Sequence, residues 1–303
     1  MADRVEIGAH TVALTSADRI YFPETGITKG ALVDYYRRIA DTMLPHLHDR
    51  PLTLHRFPDG VGENGFFQQN ASDYFPEWIA RVEVAKEDGQ VAHVMANDAA
   101  SLVYLANQGV IVFHAWLSRA GQLDTPDRLI LDLDPSGTDL AVLRRAARDV
   151  GDFMREVGLV PHVMTTGSSG FHVAAPLKRE HPFDVVRAFA RDLADLLARR
   201  DPDHLTTEQR KRKRENRIFL DTLRNSYAHT AVAPYSVRAK EGAPVAAPLD
   251  WSELDGVTPQ QYTITNLFRR LAQKPDPWRD MQAHAVALDG PRRALDALLD
   301  EDR

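Results

Sequence analysis

Arg128-Leu-Ile-Leu-Asp132-Leu-Asp134-Pro135 is the stretch of this 303-residue chain that decides its fold. Alternate residues of a β-strand share one face, so we expect the leucines to pack inward while Asp132 and Asp134 emerge together on the other face. Two carboxylates spaced in this way lie about 6.5 to 7 Å apart at Cα, close enough to converge on a hard cation. Like charges side by side at the end of an apolar strand are unfavourable unless a cation neutralises them. The stretch therefore predicts a metal site, and the alternative is a solvated strand end that leads into a turn at Pro135.

A third carboxylate ends a second short apolar run, Arg217-Ile-Phe-Leu-Asp221. Three acidic ligands suit two magnesium or manganese ions about 3.5 to 4 Å apart, an arrangement used for in-line phosphoryl or nucleotidyl transfer. Taken alone, this run favours a structural role, in which Asp221 caps a turn or pairs with Arg224.

A loop of small residues, Thr165-Thr166-Gly167-Ser168-Ser169-Gly170, separates two β-rich runs. Its backbone amides can approach a phosphate closely and its hydroxyls add donors, which predicts a triphosphate cradle. It is not a Walker loop, because no Gly-Lys-Ser/Thr follows, and an ordinary hairpin connection explains it equally well. His172 follows the loop and projects from the face opposite its apolar neighbours. His172 and His114 are candidate ligands, although lone histidines of this kind are more often hydrogen-bonded structural residues.

Cations follow and precede the third carboxylate. Downstream, Arg224 and Arg238 are candidate triphosphate clamps, because guanidinium groups bind phosphate bidentately, or else they are solvated strand ends. Upstream lies the densest charge run, Arg210-Lys-Arg-Lys-Arg214, behind a Thr206-Thr207-Glu208-Gln209 segment that resembles a capping box opening a helix. Five successive cations repel one another unless a polyanion or solvent surrounds them. Because the run leads into Asp221, we expect a loop that contacts a nucleic-acid strand rather than a solvated helix face.

Composition narrows the class of protein. The chain is 44% apolar, has no cysteine, and carries 37 basic and 43 acidic side chains for a net charge of −6. A disordered chain, a disulfide framework and thiolate chemistry are excluded, and bulk charge does not indicate a nucleic-acid binder. The opening residues lack the apolar core of a signal peptide, and no apolar stretch approaches the roughly 18 residues that would span a membrane. We therefore expect a cytoplasmic protein with no membrane partner.

Hydrophobic periodicity predicts one alternating α and β unit without internal repeats. The expected helices are Lys29–Leu44, Ala99–Gln108, Asp139–Val157, Asp184–Arg199 and Gln260–Gln273. The expected strands are Val110–His114, Arg128–Asp134, His162–Thr166, Phe171–Ala175, Arg217–Asp221 and Thr230–Tyr235. These elements predict a mixed sheet with helices packed on it, a Pro-rich crossing loop over Glu241–Pro259, and a peripheral tail after the last helix.

Together, these segments strongly resemble the polymerase domain of bacterial ligase D, a member of the archaeo-eukaryotic primase superfamily. The resemblance rests on Leu-Asp132-Leu-Asp134-Pro, Thr-Thr-Gly-Ser-Ser-Gly-Phe-His172, Phe-Leu-Asp221-x-x-Arg224-Asn and Ala-Pro-Tyr-Ser-Val-Arg238, and it runs from about Leu14 to about Leu271. It implies an α/β (α+β), archaeo-eukaryotic primase-like fold, with mixed central sheets flanked by helices and an RRM-like catalytic core. Residues 1–275 would form a single primase-polymerase catalytic domain and residues 276–303 a peripheral C-terminal tail.

The resemblance also implies roles for individual residues. Asp132, Asp134 and Asp221 match the catalytic metal-binding triad, which would hold two Mn²⁺ or Mg²⁺ ions. Positions around the nucleotide are matched by His114, Thr166, Ser168, His172, Arg224 and Arg238. Phe66 and Phe67, which by themselves are either core aromatics or a platform for an unpaired base, match a pair that stacks on the templating region. Ser16, Arg19 and Lys29 match a pocket for the 5′-phosphate of a downstream strand, and the run Arg210, Lys211, Arg212, Lys213 and Arg214 adds expected DNA contacts.

Three positions depart from the family pattern. Ser169 stands where many relatives carry Lys, which removes a cation beside the nucleotide. Ser16 replaces a common Asn and Arg19 a common Lys in the 5′-phosphate pocket. These residues include no ligase lysine motif and no nuclease module, so we expect a stand-alone relative of the family.

The resulting hypothesis is a template-dependent nucleotidyltransferase that adds ribo- or deoxyribonucleotides to primer 3′ ends at gaps, nicks or breaks bearing a 5′-phosphate. DNA repair by end joining is the expected context, in the bacterial cytoplasm on the nucleoid, with a separate DNA ligase and an end-binding protein as candidate partners. Two alternatives stay open: a metal-dependent phosphodiesterase that uses the same carboxylates, and a catalytically inactive nucleic-acid-binding module.

Overall fold

The computed structural model describes residues 4–86, 89–137 and 139–302, which form a mixed α/β structure. Its strands are β1 Arg4–Ile7, β2 His10–Ala13, β3 Ile20–Phe22, β4 Ile27–Thr28, β5 Leu52–Arg56, β6 Phe66–Gln68, β7 Arg81–Lys86, β8 Gly89–Val94, β9 Val110–Trp116, β10 Arg128–Asp134, β11 His162–Thr165, β12 Phe171–Pro176, β13 Leu205–Thr206, β14 Ile218–Asp221, β15 Thr230–Val232 and β16 Pro248–Leu249. Its α-helices are α1 Lys29–Leu47, α2 Ala99–Asn107, α3 Leu140–Glu156, α4 Phe183–Arg200, α5 Leu267–Leu271 and α6 Asp289–Glu301.

Residue contacts divide the chain into two compact units. Unit 1 comprises Met1–Ala120, Thr230–Ala247 and Tyr262–Lys274, and unit 2 comprises Gly121–His229, Pro248–Gln261 and Pro275–Arg303. The expectation that residues 1–275 act as a single catalytic domain stays a prediction.

Unit 2 is built on a six-stranded sheet in the order β13-β14-β10-β12-β11-β16. Every pairing in it is antiparallel except that of β13 with β14. Strand β10 has the predicted bounds, and its three leucines are fully buried while Asp132 and Asp134 reach solvent, as the alternation predicts. Helices α3 and α4 contact this sheet through buried stripes at three-and-four spacing.

Unit 1 contains a four-stranded sheet in the order β15-β9-β5-β6, and helices α1 and α2 pack against each other. Helix α1 begins at Lys29, as predicted, and the side chain of its N-cap residue Thr28 accepts the N–H of Ala31. The buried hydroxyls of Tyr35 and Tyr36 donate to the carbonyls of Tyr235 and Ile111 at 2.7 and 2.6 Å, so these aromatic side chains bury no unpaired polar group.

Two predicted helix segments are wrong. The expected helix over Gln260–Gln273 is reduced to α5, because Thr263 and Thr265 bond to each other and the backbone N–H of Thr263 donates to the Asn266 side chain. Such local bonds compete with helical ones. The expected helix start at Thr206 is instead β13, and the Thr206 hydroxyl accepts the N–H of Glu208 in a turn.

The C-terminal segment also differs from the expected peripheral tail, since it contributes buried side chains to unit 2. Trp278 is buried and its indole N–H donates to the carbonyl of Val163 at 3.1 Å. Helix α6 contacts α4, buries Leu295, and carries Arg292, which pairs with Asp192 at 2.8 Å. Its amphipathic pattern is therefore that of a core-covering helix.

Candidate active site

Three acidic side chains lie at one end of the sheet in unit 2. Asp132 on β10 is directly opposite Asp221 on β14, and Asp134 lies two residues further along β10, opposite Phe219. Directly opposed residues of antiparallel strands have Cβ atoms about 4.5 to 5.5 Å apart. The fold therefore brings residues 132 and 221, which are distant in sequence, into neighbouring positions on the same face.

His172 extends this row onto a third strand, because it is opposite Asp132 in the pairing of β12 with β10. Its side chain is only 3% exposed, and its Nε2 lies 3.4 Å from Asp132 Oδ1. Within the described residues its Nδ1 is buried without a hydrogen-bond partner. Buried polar atoms without a partner are uncommon in folded proteins, so the Nδ1 atom has capacity for a hydrogen bond to a water molecule or a bound ligand.

Two arginines offset part of the charge of the three carboxylates. Arg224 Nε lies 3.5 Å from Asp132 Oδ2, and Arg224 Nη2 lies 3.7 Å from Asp221 Oδ2. Arg214 Nη1 donates to Asp134 Oδ2 at 3.0 Å. Across the described ranges, no group of three or more His, Asp or Glu side chains is arranged to hold a metal ion. The two guanidinium groups, with one positive charge each, leave the three carboxylates incompletely neutralised.

The environment of Asp221 nevertheless favours an added cation. Burial raises the pKa of Asp221, and the charges of Asp132 and Asp134 raise it too, against the N–H of Leu223 and the charge of Arg224. Desolvation and like charge both penalise the ionised carboxylate, and a divalent ion relieves both. The donors are carboxylate oxygens without sulfur, so this set fits Mg²⁺ or Mn²⁺.

The small-residue loop is held against the end of β10. The Thr166 hydroxyl accepts the backbone N–H groups of Ser168 and Gly170 and donates to the Gly170 carbonyl. A Cβ at Gly170 would lie 1.9 Å from the carbonyl oxygen of Leu133, so only glycine fits there. Thr166 and Ser168 therefore stand close to the carboxylate strand, but two of the amides expected to bind phosphate already have an internal partner.

The basic run is divided by its environment. The structure leaves Arg210, Lys211, Arg212 and Lys213 exposed around a short 3-10 turn, and their contact with a nucleic-acid strand stays a prediction. Arg214, expected to contact DNA, is instead buried against Asp134, with its guanidinium carbon 4.1 Å from the centre of the Phe219 ring. The spacing of the five cations in the sequence does not indicate that Arg214 is buried while the other four are exposed.

Unit 1 carries the remaining predicted site residues. His114 lies on β9 with its ring centre 5.8 Å from that of Phe67, and His55 stacks on Phe67 at 4.0 Å. The pKa of His55 is lowered by burial and then by the charge of Arg238. Phe66 and Phe67 are 47% and 63% exposed, so they are surface aromatics and not core residues.

A cavity of about 210 Å³ in unit 1 is lined by Ser16, Arg19 and Lys29. The Lys29 ammonium donates to the carbonyl and the hydroxyl of Thr15 at 2.6 and 3.0 Å, and burial, with the charge of Arg19 adding to it, lowers its pKa to about 8. Arg19 pairs with Asp59. These three predicted residues are thus brought together in one cationic depression.

Arg56 also lines this cavity and was missed by sequence reasoning. Its guanidinium is buried and donates to the carbonyl of Gln108, to the side-chain oxygen of Gln68 and to the hydroxyl of Tyr74. The only sequence signal was a single arginine closing the short run Leu52–Arg56, which does not distinguish a cavity residue from a solvated strand end.

Comparisons with known proteins find a matching family model, similar sequences and a similar solved structure. The family model of the LigD primase-polymerase domain matches residues 28–278. The multifunctional non-homologous end joining DNA repair protein LigD of Mycobacterium tuberculosis H37Rv is 33% identical over 287 residues, which are 92% of this chain and 38% of that protein. LigD of Pseudomonas aeruginosa is 34% identical over 273 residues, 89% of this chain and 32% of that protein. The chain thus spans about a third of the length of these relatives.

The solved polymerase domain of Mycobacterium tuberculosis ligase D, in complex with DNA, superposes with a TM-score of 0.84 at 33% identity. The match covers 90% of this chain and 99% of that one. Among the described helices, none has the length and apolar character needed to cross a bilayer.

Proposed function

Since the chain belongs to the LigD primase-polymerase family, whose polymerase domain is a DNA-directed nucleotidyltransferase, we propose that it extends primer 3′ ends at gaps, nicks and breaks in DNA. Ribo- and deoxyribonucleoside triphosphates are the proposed substrates, and repair by end joining is the proposed context. The observation that carries the proposal is the row Asp221–Asp132–His172 across three neighbouring strands, with Asp134 beside it.

Asp132, Asp134 and Asp221 would hold two divalent ions, Mn²⁺ or Mg²⁺. Such ions, when bound, neutralise the triphosphate and lower the pKa of the primer hydroxyl. The side chains contribute in their own right: Arg214 holds Asp134, and Arg224 spans Asp132 and Asp221. These arginines hold the carboxylates in place and offset part of their charge before substrates arrive.

In unit 2, the nucleotide would contact the Thr166 and Ser168 loop, His172 and Arg224. His114 and Arg238, which lie in unit 1, stay predicted nucleotide contacts. Support comes from the position of the loop against β10 and from the buried Nδ1 of His172. Guanidinium and hydroxyl donors stabilise charge that develops on phosphate oxygens.

The DNA would be held at three places. The cavity of Ser16, Arg19 and Lys29 suits the 5′-phosphate at the far side of a gap, because it concentrates cations in a small depression. The exposed rings of Phe66 and Phe67 suit an unpaired templating base. The exposed cations Arg210–Lys213 suit the strand backbone. Sealing would fall to a DNA ligase, and an end-binding protein would deliver the broken ends.

Primer extension tests this function. Labelled primers in gapped, nicked and blunt duplexes are incubated with Mn²⁺ or Mg²⁺ and with ribo- or deoxyribonucleotides. A lengthened strand is expected; a shortened strand indicates a phosphodiesterase, and binding without product indicates an inactive module. Asp132→Ala should lower extension at least about a hundredfold, because a metal contributes several kcal/mol of charge stabilisation.

The matched control is Asp152→Asn. Asp152 is an exposed carboxylate of α3 that pairs with Arg155. This variant should extend primers at the wild-type rate. Equal activity of Asp132→Ala and Asp152→Asn would overturn the assignment of the carboxylate row.

A further inference from the structure

The turn that follows β14 is held by one buried side chain. This turn, which we call the β14 turn, comprises residues 222–229, all of which the structure describes, and among them only Asn225 is buried. Asn225 is 0% exposed although its side chain is a polar carboxamide. Burying an amide is unfavourable unless its donors and its acceptor are paired, so the partners of Asn225 explain why an amide stands there.

The Asn225 carboxamide bonds to the backbone at two places. Its Oδ1 accepts the N–H of Ile130 on β10 at 2.8 Å, and its Nδ2 donates to the carbonyl of Ile130 at 2.7 Å. Nδ2 also donates to the carbonyl of Thr222 at 2.9 Å. One side chain therefore ties the start of the β14 turn to β10, two residues before Asp132.

The two bonds to Ile130 replace those of a strand partner. Strand β14 pairs with β10 as far as Asp221, which is opposite Asp132. If this register continued, Leu223 would stand opposite Ile130, and such a pair would exchange both N–H···O bonds. Asn225 supplies both bonds from its side chain. The backbone of Ile130 is thus satisfied although the chain leaves the sheet after Asp221.

The point at which the chain leaves the sheet decides where Arg224 points. On a continued strand, Arg224 would share a face with Leu220, which is buried on the side opposite the carboxylates. In the β14 turn, its Nε lies 3.5 Å from Asp132 Oδ2 and its Nη2 lies 3.7 Å from Asp221 Oδ2. Asp221 Oδ1 in turn accepts the N–H of Leu223 at 2.8 Å, so the turn and the carboxylate hold each other.

We propose that Asn225 is a positioning residue of the candidate active site and acts through Arg224. This inference deepens the proposed function and rests on it, because it takes Arg224 as a contact of the nucleotide triphosphate. Asn225 ends the strand pairing at Asp221 and thereby keeps Arg224 on the carboxylate face. An apolar side chain of similar size would fill the same space, but it would leave the N–H and the carbonyl of Ile130 unpaired and so favour continued strand pairing.

A double-mutant cycle tests this role with Asn225→Ala, Arg224→Gln and the variant that carries both. The control is Asn97→Ala. Asn97, in unit 1, also holds a backbone segment by paired bonds, since it accepts the N–H of Asp49 and donates to the Asp49 carboxylate, both at 2.8 Å. Asn225→Ser is a milder variant for use if Asn225→Ala does not fold, because its hydroxyl can still bond the Thr222 carbonyl three residues earlier.

Fluorescence anisotropy measures the Kd of fluorescently labelled ATP with Mn²⁺ and without DNA, well below the thermal midpoint of every variant. Arg224→Gln should raise this Kd about tenfold to a hundredfold, the usual contribution of hydrogen bonds to a charged group. Asn225→Ala should raise the Kd in the same direction, Asn225→Ser should raise it less, and the double variant should match Arg224→Gln. In primer extension the nucleotide KM should rise in parallel while the KM for primer-template stays unchanged. Asn97→Ala should lower the thermal midpoint and leave both constants at their wild-type values.

Amide hydrogen exchange tests the β14 turn without any substrate. Asn225→Ala should speed exchange of the Ile130 N–H, whose acceptor it removes, whereas Arg224→Gln should leave this N–H protected.

Three outcomes would overturn the inference. Exchange at Ile130 could be unchanged in Asn225→Ala, this variant could bind ATP as tightly as Asn97→Ala, or its effect could multiply with that of Arg224→Gln. Because exchange and ATP binding need no turnover, a wild type that meets both expectations but extends no primer would refute the proposed function and leave the role of Asn225 standing.

Discussion

Lys29 should make recognition of a 5′-phosphate depend on pH. Its pKa is lowered to about 8 by burial and by Arg19, so the free protein loses the ammonium charge in an accessible pH range. If only the protonated amine binds phosphate, the observed Kd scales as 1 + 10^(pH − pKa). The Kd for a 5′-phosphorylated gap should then rise about tenfold between pH 7 and pH 9, which is a loss of about 1.4 kcal/mol of binding free energy. A terminal phosphate has its second pKa near 6 and stays a dianion throughout this range.

Anisotropy titrations on gapped duplexes with a 5′-phosphate or a 5′-hydroxyl isolate this effect, because their Kd ratio cancels the pH dependence of the remaining DNA contacts. Lys29→Arg keeps its charge at pH 9 and should hold the ratio constant. Lys29→Gln should lose the preference at every pH. A wild-type ratio that is unchanged between pH 7 and pH 9, or one that falls equally in Lys29→Arg, refutes the reasoning.

Three further predictions concern unit 2. Asp221→Asn should abolish primer extension yet raise the thermal midpoint of unfolding. The pKa of Asp221 is raised in the folded protein, so at any pH above the pKa of an unfolded aspartate the ionised carboxylate destabilises the fold, and the neutral amide removes this cost. Gly170→Ala should lower the free energy of unfolding by about 3 kcal/mol or more, because the added Cβ clashes with the Leu133 carbonyl. Gly290→Ala, which adds a Cβ in open space on α6, should raise the free energy of unfolding by about 0.5 to 1 kcal/mol. Urea titration measures both changes. Burial, together with the charge of His284, lowers the pKa of His162 to about 4. The folded protein therefore favours the neutral imidazole, and the stability that depends on it is lost as pH falls from about 6.5 to 4. That loss is up to about 3 kcal/mol, and His162→Gln should flatten this part of the pH–stability profile.

Secondary structure followed from the sequence where one periodic signal dominated. Strand β10 and helices α1 to α4 lie within three residues of their predicted bounds, because buried stripes of period 2 and 3.6 leave few alternatives. The segment before α5 has a helical spacing of apolar residues too, but its threonines and Asn266 satisfy the backbone locally. Helix α6 lies in the segment that was expected to be a peripheral tail. It is buried against α4, and the residues of α6 alone do not indicate that contact.

The sequence indicated the acidic residues of the candidate site, but it did not indicate which arginines would lie against them. The three aspartates, His172 and Arg224 all fall in unit 2. Arg214 was indistinguishable from its neighbours in the basic run, and only the return of β14 beside β10 brings it against Asp134. Arg56 shows the same limitation, because its partners are 12, 18 and 52 residues away.

The alternation of leucine and aspartate determined by itself that two carboxylates share one face of a buried strand, because backbone geometry makes side chains of a strand alternate. Only the tertiary structure decided which residue stands opposite them. Strand register is set by long-range packing, which aligned Asp221 and His172 with Asp132 and drew Arg214 into the cluster. The local chain thus specifies the donors, whereas the pairing of distant strands specifies which charges meet, since electrostatic energy depends on distance in space and not on separation in sequence.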